Sequence, residues 1–90
     1  MPRYVVERTF DTALVIPRSP EGVEQCLGVV RRNEREGVTW VQSYVSDDRR
    51  RTFCVYDGPD PEAIRRSSSG NDLPIDRITQ VRVLDPYFHF

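Results

Sequence analysis

A thiol, a carboxylate, one imidazole and a group of hydroxyl-bearing aromatics are the side chains of this sequence with the most chemistry to offer. Cys54 stands in a short β-rich run, FCVYD, where its thiolate could bind a soft or borderline metal or act as a nucleophile. Free cysteine is also one of the commonest buried residues, so a packing role stands beside the chemical one. Glu7 falls in mid-run within RYVVERTF. Carboxylates are depleted in strands, and an enclosed one needs an ion pair or a ligating role. His89 is the single histidine, second from the end between Phe88 and Phe90. Alone it makes no metal site, but across a two-fold axis it could meet the partner's Glu7 or the partner's Cys54. Glu7, Cys54 and His89 are therefore the candidate metal ligands, with a packed or frayed tail as the plainer reading of His89. A nucleophile needs a base within hydrogen-bond reach, which a tail histidine is poorly placed to supply. No phosphate loop, CxxC, HExxH, GxSxG or dinucleotide fingerprint is present.

The hairpin-like stretch 39–57, TWVQSYVSDDRRRTFCVYD, supplies the binding candidates. Alternate residues of its two runs fall on opposite sides of a sheet. Val41, Ser43, Val45, Phe53 and Val55 form the set expected under helices. Trp40, Gln42, Tyr44, Cys54 and Tyr56 form the other set, expected on an open face with Glu7, Gln80 and Arg82. Trp40, Gln42, Tyr44, Tyr56 and Arg82 are the candidate ligand-binding residues, with interface or cavity wall as the alternative for the three aromatics. An ion pair with Arg82 is the structural alternative for Glu7.

These residues need elements to hold them. Residues 3–10 read as a strand with Val5 and Glu7 on one face and Tyr4 and Val6 on the other. Residues 11–18 form an irregular connection. Ser19 as N-cap, Pro20 at the first helical position and Glu21 in the first turn start a helix. Its apolar stripe is Val23, Cys26, Leu27 and Val30, Cys26 being a core residue, and Gly37 stops it. Strands follow at 38–45 and 52–57. Asp60 and Pro61 begin a second helix, which 67–71 ends, and a last strand spans 76–84. The order βαββαβ predicts an α+β, ferredoxin-like fold with one domain over 1–90, antiparallel sheet order 4-1-3-2 and an aromatic tail at 85–90.

With both helices on one side, the other side carries large aromatics that monomers rarely leave wet. A homodimer through that open face is the expected partner arrangement, its polar members lining whatever cavity remains. A chain of 90 residues buries only about 60–65% of its unfolded surface, so added burial by association is welcome.

A net charge of −1 argues against nucleic acid as a partner. The run Asp47-Asp48-Arg49-Arg50-Arg51 mixes signs and reads as a solvated tip. All 13 basic residues are arginine. Two cysteines make no disulfide framework, and no apolar stretch approaches a membrane span. A cytoplasmic protein with reduced thiols is expected.

The stretches PRYVVERTF, GVTWVQSYVS, FCVYDGPDPEAIRR and LPIDRITQVRVLDP together resemble a family of small bacterial proteins, long described as a domain of unknown function, that includes a dimeric nickel-binding protein. The W-x-x-S-Y strand and the C-V-Y-D-x-P-x-P-E-A-I-R run are its most specific parts. The resemblance implies a homodimer of the dimeric α/β-barrel type and a cofactor that is nickel or another divalent transition metal. The family often has histidine at the positions of Gln42 and Ser67. The leading expectation is a non-enzymatic binding protein holding a metal or small ligand on the open face. The alternative is a cofactor-free isomerase or monooxygenase-like enzyme in which Glu7, Tyr44 and Arg82 move protons.

Overall fold

A computed structural model describes residues 1–16 and 18–87. The elements are β1 (Arg3–Thr9), α1 (Pro20–Arg35), β2 (Thr39–Val45), β3 (Arg51–Asp57), α2 (Pro61–Gly70) and β4 (Arg77–Val81). They form one antiparallel sheet in the order β2-β3-β1-β4, so the fold is ferredoxin-like α+β as expected. β4 is shorter than the anticipated 76–84 and stops before Arg82. No helix among the described residues is long and apolar enough to cross a membrane.

The helix starts follow their local chemistry. The Ser19 hydroxyl accepts the Gly22 amide at 3.4 Å, and the Asp60 carboxylate accepts the Ala63 amide at 2.8 Å. Proline opens both helices, where its missing N–H costs nothing. Gly37 stops α1 at φ +71, a left-handed conformation that favours glycine. α2 runs on through Ser67, Ser68 and Ser69 rather than ending there. The reason is burial: the Ser67 hydroxyl donates to the Ile64 carbonyl at 3.0 Å, and Ser68 faces the sheet.

Which side of the sheet lies under the helices differs from expectation. The buried core is Tyr4, Val6, Val38, Cys54, Tyr56, Ala63 and Ile64. In β3 the covered residues are Thr52, Cys54 and Tyr56, whereas Phe53 and Val55 face the open side. The register requires this. Directly opposed residues of an antiparallel pair share a face, and Glu7 stands opposite Phe53 while Val6 stands opposite Cys54. Glu7 and Phe53 cannot lie on different sides.

A bulge between Trp40 and Gln42 divides β2 into two phases. Trp40 stands opposite Tyr56, then Gln42 opposite Val55 and Ser43 opposite Cys54. The extra residue, Val41, lets Trp40, Ser43 and Val45 lie on the helix side together, with Gln42 and Tyr44 on the open side.

α1 also departs from its expected stripe. Val23 and Leu27 are 59% and 40% exposed, while Gly22 and Asn33 are its buried residues and Cys26 is half-buried. The Asn71 amide donates to the Asn33 side-chain oxygen at 2.9 Å and ties the ends of the two helices together.

Candidate functional site

The helix side of the sheet contains a cavity of about 330 Å³ under α1 and the 10–16 connection. Arg8, Cys26, Trp40, Cys54 and Tyr56 are in its wall. Arg8 is only 2% exposed. Its Nη1 donates to the Pro74 carbonyl at 2.7 Å, and its Nη2 donates to the Tyr56 and Ser68 hydroxyls at 3.1 Å each. Nε is buried and has no acceptor among the described residues. The guanidinium also lies 5.9 Å from the Tyr56 ring centroid. Burial pushes the Tyr56 phenol above its usual value, and the Arg8 charge opposes that rise. Cys54 donates weakly to the Thr52 hydroxyl at 3.6 Å, and the Trp40 indole donates to Ser43 at 2.8 Å.

The open face is laid out in rows by the register. Tyr44, Phe53, Glu7 and Arg77 form one row; Gln42, Val55, Val5 and Thr79 form the next. The Glu7 carboxylate lies 3.6 Å from Arg51 Nη2, and the Arg51 guanidinium sits 5.2 Å from the Phe53 ring centroid. Gln42 Nε2 donates to the Tyr44 hydroxyl at 2.6 Å, and Tyr44 is 60% exposed. At the edge of this face Arg3 grips Asp57 through Nε at 2.7 Å and Nη2 at 3.1 Å. That pairing holds the Asp57 carboxyl below the usual carboxylate range and raises Arg3.

The expected open-face group is therefore split. Glu7, Gln42 and Tyr44 share the open face. Trp40, Cys54 and Tyr56 lie on the other side, for the register and bulge reasons given above. Gln80 stands opposite Tyr4, also on the helix side, and Arg82 lies beyond the end of β4, exposed. The anticipated Glu7–Arg82 ion pair is replaced by Glu7–Arg51. His89 falls outside the described residues. Arg8 is absent from the residues expected to do chemistry, although its place two residues after Val6 and four after Tyr4 puts it on their face.

A resident transition metal does not fit the described residues of one chain. Glu7 and Cys54 project from opposite faces, and among the described residues no three His, Cys, Asp or Glu side chains come together. Gln42 and Ser67 are likewise separated, one on the open face and one buried in α2.

Comparison with known proteins places this geometry in a lineage. The model of the family described as "Nickel responsive protein SCO4226-like" matches residues 4–81. The crystal structure of SCO4226 from Streptomyces coelicolor A3(2) is similar over 92% of this chain and 99% of that one, with a TM-score of 0.73 and 16% identity. At that identity the likeness speaks for the fold. No curated protein matches. The family match covers both β-rich runs, both helix starts and β4, and the chain belongs to the SCO4226-like family of nickel responsive proteins.

Proposed function

We propose that the chain is a non-enzymatic binding protein of the cytoplasm that works as a homodimer, two open sheet faces meeting around a two-fold axis. The observation that supports this most is the composition of that face. Val5, Val55, Phe53 and Tyr44 make an apolar strip with Glu7, Arg51 and Arg77 at its side, so a second copy can bury the strip and pair the charges. Gln42, Glu7 and Tyr44 then line the space that holds the ligand. Nickel enters through the family's description. Since no three His, Cys, Asp or Glu side chains of one protomer come together among the described residues, a transition-metal site on this face draws ligands from both copies.

The enzyme reading loses a member of its proposed set, because Arg82 is not beside Glu7, and Gln42 donates to the Tyr44 hydroxyl.

Sedimentation equilibrium tests the dimer, with Phe53→Glu as the disrupting change. The expected outcome is a dimer that this substitution turns into a folded monomer. A wild-type monomer at about 100 µM would refute the assembly. Calorimetric titration of the tag-free protein with Ni²⁺, Co²⁺, Cu²⁺ and Zn²⁺ tests the metal form, which is abandoned if nothing binds tighter than about 100 µM.

A further inference from the structure

Arg8 is a charged group in an unusual position. It comes from mid-strand, it is 98% buried by its 2% exposure, and none of its hydrogen-bond partners is a carboxylate. Burying a guanidinium removes its hydration, and three neutral oxygens replace only part of it. The Nε hydrogen has no acceptor at all among the described residues. Buried polar groups are nearly always satisfied, so an orphan on a buried cation points to a missing anion.

The space for one lies alongside. The cavity in whose wall Arg8 stands holds about 330 Å³. Its other walls include Leu14, Val29, Trp40 and the two thiols, Cys26 and Cys54. From α1 the wall takes Gln25, Cys26 and Val29, and the two that are half-buried, Cys26 and Val29, are short side chains that leave the volume open. Pockets for small molecules are typically of this kind, mostly apolar with a few polar groups that fix orientation.

We propose that this cavity is a binding site for a small apolar carboxylic acid, its carboxylate against the Arg8 guanidinium and its hydrocarbon or ring against Leu14, Val29 and Trp40. The chemistry selects that class. A guanidinium matches a carboxylate in shape and charge. A phosphate ester brings nearly two charges to one cation and leaves the second facing apolar walls. A neutral apolar molecule fills the volume but leaves the buried charge without its counterion. This site lies on the opposite side of the sheet from the proposed dimer face and does not depend on it.

The protein carries its own reporters. Trp40 is the single tryptophan and stands in the cavity wall, and so does Cys26, which is only half-buried. Octanoate and octanamide, which differ in charge and hardly in shape, are titrated against Trp40 emission at pH 7. Octanoate is expected to saturate the signal, with octanamide at least about tenfold weaker, because a charge-assisted hydrogen bond is roughly twice as strong as a neutral one. Octanoate is also expected to slow iodoacetamide alkylation of Cys26 in the unmodified protein. Arg8→Gln should bring the two affinities together, and Val29→Phe, which fills the cavity, should weaken both. Equal affinities of octanoate and octanamide for the wild-type protein would overturn the proposal, as would alkylation of Cys26 at the same rate with and without octanoate. Both decisive readings use the natural sequence, so an Arg8 variant that fails to fold does not shelter the idea.

Discussion

Removing the hydroxyl of Tyr56 tests whether Arg8 is held as the geometry indicates. Nη2 of Arg8 has two hydrogens, and the structure gives each an acceptor at 3.1 Å, one on Tyr56 and one on Ser68. Tyr56→Phe keeps the ring, which is nearly all buried, and deletes one acceptor. A buried hydrogen on a charged donor is then left unpaired, at a cost of about 1.5–3 kcal/mol. For a domain of this length each kcal/mol lowers Tm by roughly 4–8 °C, so a fall of roughly 6–24 °C is expected. The cost belongs to the guanidinium, not to the ring, and a double-mutant cycle isolates it. In an Arg8→Met background the orphaned hydrogen no longer exists, and Tyr56→Phe should be nearly neutral, giving a coupling of about 1–3 kcal/mol. Urea unfolding at pH 7, followed by Trp40 emission and by circular dichroism, measures all four proteins. The phenol, pushed up by burial, stays protonated there, so its titration does not enter. A coupling below about 0.5 kcal/mol, within ordinary additivity error, would refute the idea that Tyr56 stabilises the fold through Arg8.

Two further outcomes follow from the ends of the secondary elements. Asp60→Ala removes the acceptor of the Ala63 amide and should cost about 1 kcal/mol by denaturant titration, whereas Asp60→Asn should recover most of it. Asp57 has a folded-state carboxyl pKa depressed by Arg3, so its contribution is present above the unfolded pKa and is lost as pH falls through the folded one. Wild-type stability should therefore drop more steeply below about pH 4 than that of Asp57→Asn, and parallel acid-unfolding curves would show that this exposed pair contributes nothing.

Much of the architecture is legible in the sequence. Ser19-Pro20 and Asp60-Pro61 mark helix starts through groups acting within one turn, and Gly37 marks a stop through its own φ. Strand periodicity separated Tyr4 and Val6 from Val5 and Glu7, and that separation holds. The open-face placement of Glu7, Gln42 and Tyr44 was also correct. Cys54, Tyr56 and Trp40 lie on the side opposite to the expected one, because both faces of this sheet carry large apolar residues. Alternation divides such a strand into two sets without saying which set is covered. The Val41 bulge then reversed the phase within β2, and a bulge leaves no clear mark in a single run of β-formers.

Local sequence, acting over a few residues, determined the element order βαββαβ, the helix boundaries near their caps and, through that order, the sheet order. Tertiary structure decided what chemistry each face presents. Pairing across 46 residues sets Glu7 against Phe53, and the same register carries Arg8 inward to Tyr56, Ser68 and the cavity under α1. A carboxylate and a thiol that seemed neighbours in the alternation were parted by the thickness of the sheet. The arginine between them in neither set became the charged centre of the interior, because only the assembled fold brings its partners from strands and helix to one point.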